Sequence, residues 1–123
     1  MYIDAIEENI AANRKGIRGT IGSRAIDWTE DTPEDLIETA DCVLICDCIY
    51  YQDSLEPLIN TFSNLLKRQK DATVILAYER RKDKEDLYSE FFQITRKTYN
   101  CEEILTSVLD NKNTVFLIKL SKK

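Results

Sequence analysis

Apolar residues recur along this chain with two spacings, and their alternation predicts an α/β domain. Ile3, Ile6 and Ile10 fall at i, i+3 and i+7 with Ala5, Ala11 and Ala12 beside them, so residues 3–15 are expected to form a helix. Asn13-Arg14-Lys15-Gly16 then sets cations in its last turn and a glycine stop behind them. Thr20 to Asp27 alternates through Ile21 and Ile26, which predicts a strand that exits at Trp28. Thr29 to Thr39 is acidic and contains Pro33, the pattern of a loop with one helical turn. Cys42 to Cys46 is an unbroken apolar run, as expected of a strand covered on both faces.

The second half repeats the alternation. Leu55, Leu58, Ile59, Phe62, Leu65 and Leu66 make a wide apolar stripe, with Asp53 or Ser54 placed to cap the helix. Pro57 is tolerable there because it falls in the first turn. Ala72 to Tyr78, "ATVILAY", predicts a second buried strand running out into Glu79-Arg80. A helix over about 84–95 would turn Leu87, Phe91 and Ile94 inward. Glu103 to Leu109 and Thr114 to Leu120 then close a hairpin around Asp110-Asn111-Lys112-Asn113. Together these predict one domain over residues 1–123, with a mostly parallel sheet wrapped by helices and an antiparallel C-terminal hairpin.

Composition narrows the partners. The chain has 123 residues and a formal net charge of −5, which argues against nucleic acid, since that affinity rests on Lys and Arg neutralising phosphates. The basic cluster Arg80-Arg81-Lys82 sits among Asp83 and Glu85 and reads as a solvated loop. No apolar run reaches the roughly 18 residues of a membrane span. Glu7, Glu8 and Asn9 interrupt any signal-peptide core, so a cytoplasmic or nuclear chain is expected.

Four cysteines fit that expectation. Cys42 and Cys46 on one extended strand would stand roughly 13 Å apart, too far for a disulfide or a shared zinc. They are expected to be small buried residues, and no metal site is expected in a chain without histidine. The same absence removes Ser-His-Asp and Cys-His catalysis.

In parallel sheets, ligands gather beyond the carboxyl ends of the strands. That rule selects Asp27-Trp28, Asp47 to Tyr51, and Tyr78 to Arg81, three exits that all carry acids and aromatics. A carboxylate at the end of a buried strand must be solvated, hydrogen-bonded or used, so Asp47 is either a bond acceptor for loop amides or part of a site. Tyr50, three residues on, can turn its phenol to the same spot, and the pair can orient an amine. Trp28 either covers a core edge or stacks on a flat ring. The glycines of "GIRGTIG" follow a helix and precede a strand, the reverse of a dinucleotide loop, and read as a helix stop and a turn.

The residues that single out these exits also carry a likeness. "DCVLICDCIYYQDSLEPLINTF" followed by "VILAYERR", with "NIAANRKGIRGTIGSRAIDWTED" upstream, resembles the family 16 protein methyltransferases over nearly the whole chain. The resemblance implies a Rossmann-like class I methyltransferase fold that moves a methyl group from S-adenosylmethionine to a lysine of a protein substrate. A valosin-containing-protein-type ATPase is the implied example of that substrate. Carried over by position, Asp47 and Tyr50 match the family's Asp-x-x-Tyr motif along the target-lysine channel. Trp28 matches the tryptophan beside the adenine, and Cys46 a small residue bordering the cofactor. Tyr51, Tyr78 and Glu79 are implied only as substrate neighbours.

Two family strands, the first followed by an acidic glycine-rich loop and the second ending in an acid, have no counterpart ahead of Met1-Tyr2-Ile3. The fold is therefore expected to lack its first two strands, as in an N-terminally truncated domain, and to leave a bare sheet edge. A non-catalytic short form that binds proteins is the alternative to a lysine methyltransferase. A receiver-type phosphorylation switch fits poorly, because it needs an acidic pair after its first strand and a lysine where Glu79-Arg80 stands.

Overall fold

The computed structural model describes residues 3–109 and 113–123. The expected turn over residues 110–112 and the expected entry through Met1-Tyr2 lie outside the described residues. In chain order the elements are α1 (Ile3–Asn13), α2 (Glu34–Thr39), β1 (Cys42–Cys46), α3 (Leu55–Leu65), β2 (Thr73–Glu79), α4 (Glu85–Thr95), β3 (Tyr99–Leu109) and β4 (Asn113–Lys122). Short 3-10 turns at Arg14–Gly16, Gln52–Ser54 and Lys82–Lys84 join them.

The four strands form one sheet in the order β1-β2-β4-β3. Only β1 and β2 run parallel, with α3 as the crossover that a parallel pair requires. β2 pairs antiparallel with β4, and β4 with β3, so the sheet is mostly antiparallel rather than mostly parallel. The reason lies in the hairpin. Its second strand inserts beside β2 instead of hanging from the far edge, so two of the three ladders are antiparallel.

The expected strand over Thr20 to Asp27 does not form; residues 17–27 run as coil without a ladder. Alternation is not sufficient for a strand, because the backbone also needs a partner to accept its bonds. β1 accordingly has a sheet neighbour on one side only among the described residues.

One face of the sheet carries the core. Val43, Val74 and Leu120 share a register row, as do Ile45, Leu76 and Ile118, and Val74, Leu76 and Leu120 have no exposed surface. α3 brings Leu55, Leu58, Ile59 and Phe62 onto this face, with Leu66 just beyond its end. α4 adds Tyr88, Phe91 and Phe92, so the inward side is set as much by Tyr88 and Phe92 as by the expected Leu87, Phe91 and Ile94. Full burial of a side chain of this size contributes about 1.5–3 kcal/mol.

The opposite face is left largely open. Leu44 is 71% exposed and Leu105 57%, and Cys42 and Cys46 are exposed on the same side of β1. This corrects the expectation of a strand covered on both faces and of buried cysteines. Among the described residues, the covering helices lie on one side of β1 only, and alternate residues along a strand must point to the other. Cys48 and Cys101 are partly buried against the core.

Smaller expectations also shift. Neither Asp53 nor Ser54 caps α3 with its side chain; the Ser54 hydroxyl instead donates to the Tyr51 carbonyl at 2.7 Å, closing the 3-10 turn. α1 ends through the Arg14–Gly16 turn rather than a left-handed glycine, and Ile10 is its buried residue while Ile6 stays 45% exposed.

Candidate functional site

The carboxyl ends of β1 and β2 lie side by side, because Cys46 is in register with Ala77. The ladder runs one bond further, from the Asp47 N–H to the Ala77 carbonyl at 3.1 Å. Asp47 then adopts a left-handed backbone with φ 58°, alone among the described non-glycine residues. Asp and Asn accept that region more readily than other side chains, at a cost of order 1 kcal/mol. The kink carries the chain off the sheet and leaves the carboxylate half-exposed at its rim.

Cys46, Asp47, Tyr78 and Glu79 come together here, lining a hollow of about 240 Å³ with Ala77 and Val115. Tyr50 reaches the same corner through a shared cation. The Arg81 guanidinium carbon lies 5.5 Å from the Tyr50 ring centroid, and one of its nitrogens is 3.9 Å from the Asp47 carboxylate. Lys84 Nζ donates to the Tyr50 carbonyl at 3.1 Å and holds the loop in place. An acid and an aromatic face around one cation make a place where an alkylammonium would be held by Coulomb and cation–π attraction together.

Arg81 closes the selected exit Tyr78 to Arg81, but the sequence assigned it no role beyond a solvated loop. A basic cluster beside two acids reads as a solvated loop, and the bonds to Asp47 and Tyr50 span more than thirty positions. The signal available was its place just past a strand exit. Its neighbour Arg80 does not pair with Glu79; it pairs with Glu85, its Nε lying 2.8 Å from that carboxylate.

Tyr78 points its ring to the covered face, stacked on Phe116 at 5.2 Å and tilted against Tyr88 at 4.7 Å. Burial there pushes its phenol above the usual tyrosine range, and Tyr88 is raised for the same reason. The Tyr88 hydroxyl donates to the Glu79 carbonyl at 3.0 Å, which ties α4 to the exit of β2.

Trp28 and Tyr51 meet in a different place. With Ala25, Ile26, Pro57 and the polar edge of Asp27, Thr29, Asp53 and Ser54, they line a broad cavity of about 760 Å³. The Thr61 hydroxyl, donating to the Pro57 carbonyl at 2.8 Å, lies 3.4 Å from the Trp28 carbonyl and pins the wall to α3. An apolar wall with an indole and a polar rim suits a flat heteroaromatic ring. Asp27 is turned back on its own loop, accepting from the Thr29 N–H at 2.9 Å and the Thr29 hydroxyl at 2.6 Å. Those two bonds hold its carboxyl below the ordinary carboxylate value of 3.8. Trp28 and Cys46, both expected to border one cofactor, therefore line separate cavities.

A family model described as lysine methyltransferase matches residues 1–98 of this chain. The match includes α1, the Trp28 cavity, the Asp47–Tyr50 corner and all of α4, and stops just ahead of β3.

Proposed function

The chain belongs to the lysine methyltransferase family, and from that premise we propose that it transfers a methyl group from S-adenosylmethionine to a lysine side chain of a protein. The observation that carries the reading is the Asp47–Tyr50 corner, a carboxylate and a phenol ring set around one cation at a strand exit. The mixed α/β architecture with a four-stranded sheet is consistent with a methyltransferase domain. The likeness of "DCVLICDCIYYQD" to the methyltransferase of valosin-containing protein makes an ATPase of that type our proposed substrate.

S-adenosylmethionine would supply an electrophilic methyl on sulfur, and the Trp28–Tyr51 cavity is the part of this chain that fits its adenine. Asp47 and Tyr50 would receive the lysine as an ammonium. A carboxylate beside an ammonium favours its charged form, so Asp47 is a positioning acceptor rather than a strong base. Proton loss to water would free the amine lone pair to form the new N–C bond as the donor's C–S bond breaks, with S-adenosylhomocysteine as the leaving group. The methylated nitrogen would leave as a secondary ammonium with two protons, one of which must go to solvent before any further methyl could be accepted. Alignment of the amine is where the protein acts, and orientation of this kind is worth several kcal/mol, up to about 7–11 in the best cases.

The test is Asp47→Asn in the whole chain. Asparagine tolerates the left-handed backbone and removes only the charge. Methyl transfer to a lysine-bearing protein should fall at least about tenfold, while S-adenosylhomocysteine still quenches Trp28 fluorescence with unchanged affinity. Undiminished transfer by this variant would remove Asp47 from the mechanism. Calorimetry with S-adenosylhomocysteine separates the enzyme from a non-catalytic binding module, which would show no heat.

A further inference from the structure

If the corner receives a lysine, its present occupant matters. Arg81 stands where an ammonium would stand, over the Tyr50 ring and against the Asp47 carboxylate. It is held there lightly. At 3.9 Å, with 39% and 52% of the two side chains exposed, this is a surface pair of the kind worth little. Arg81 also sits in a cationic rim. Lys82 and Lys84 follow it, Lys84 bonds to the Tyr50 carbonyl, and Glu85 is already taken by Arg80. Exposed Asp83 is the remaining acid of that short loop.

We propose that Arg81 is a placeholder for the substrate ammonium, and that it selects lysines with an adjacent acidic residue. An entering lysine takes Asp47 and Tyr50 and leaves the guanidinium without its partners. A carboxylate next to that lysine supplies a replacement, so one displacement gains two pairings. A lysine among neutral residues gains the corner and strands Arg81 in a rim already rich in cations. The inference rests on the lysine reading of Asp47 and Tyr50, and concerns how the channel chooses among lysines.

The measurement is amide and side-chain NMR titration of the whole chain with acetyl-Ala-Lys-Ala-amide and acetyl-Ala-Lys-Asp-amide, followed at Asp47, Tyr50 and Arg81. The wild-type protein should bind the Asp peptide about two- to fivefold more tightly, the span of one exposed ion pair. Arg81→Ala and Arg81→Gln should each bind the Ala peptide about two- to fivefold more tightly than wild type and lose the preference. Both variants alter a partly exposed loop side chain, and unchanged shifts of the β1–β2 amides verify that they fold. A preference that survives in both variants overturns the placeholder while leaving the lysine reading intact. Weaker binding of the Ala peptide to Arg81→Ala also overturns it, since Arg81 would then support the lysine. If neither peptide perturbs Asp47 or Tyr50 in any form, the lysine reading fails and the placeholder with it.

Discussion

Asp47 shows what a single residue can settle. Its left-handed backbone turns the chain at the end of β1, and its N–H extends the ladder to Ala77 as it does so. The position was legible from "DCVLICDCIYYQD" because an acid after a buried run demands an explanation. Its use of Arg81 was not, since nothing local links residues 47 and 81. Asp27 is a second acid at a chain exit with a different fate, satisfied by Thr29. Its folded pKa is depressed, chiefly by the Thr29 hydroxyl and then by the Thr29 N–H. These bonds therefore stabilise the fold above the ordinary carboxylate range and lose that effect as pH falls through the lowered value. Thr29→Val deletes the hydroxyl and keeps the N–H. The Asp27 pKa should rise toward 3.8 in a carboxyl-carbon NMR titration, and the stability gap between variant and wild type should close at acid pH.

At the scale of elements, the helices and β1, which spans Cys42–Cys46 as expected, were legible, and the strand expected over residues 20–27 was not borne out. The stripe from Leu55 to Leu66 is a local pattern, and α3 follows it from Leu55 with Pro57 in the first turn. β2 likewise follows "ATVILAY", starting one residue later and ending one later. β3 begins at Tyr99, four residues before the expected start, because Tyr99 and Cys101 alternate inward ahead of Glu103. A bulge between Glu103 and Leu105 then shifts the register against β4, which no periodicity announces. The strand expected over residues 20–27 failed for the opposite reason: its pattern was present and its partner was not. α4 offers a direct check on what secures the layers. Phe91 has no exposed surface and meets Phe92 edge-on at 5.3 Å. Phe91→Ala should cost about 3–5 kcal/mol in urea unfolding, whereas removal of an exposed α4 side chain such as Gln93 should cost within about 0.5.

For the molecule as a whole, the asymmetry of the sheet is the dominant feature. One face carries the core and the other presents Leu44 beside Ile75, then Cys46, Ala77, Leu117 and Leu105 in the next outward row. Which face would be covered cannot be read from a run such as "CVLIC", because burial depends on what packs against it. The open row continues to β1, whose outer edge lacks a strand neighbour among the described residues. Flat apolar edges of this kind promote pairing with other chains. Leu44 is so exposed that Leu44→Lys should change unfolding stability by no more than about 0.5 kcal/mol. The same substitution should lower the average mass seen by sedimentation at high protein concentration, and an unchanged mass would show that this face does not associate.

One last feature concerns the far end of β4. Lys122 Nζ donates to the carbonyls of Leu66 and Gln69 at the close of α3, and the Lys123 N–H donates to the Thr98 carbonyl after α4. Lys122 and Lys123 thus fasten the ends of both covering helices, where a cation also complements the helix dipole. Losing these two residues would therefore unclasp both covering helices at once, a single lesion loosening two elements far apart in the chain.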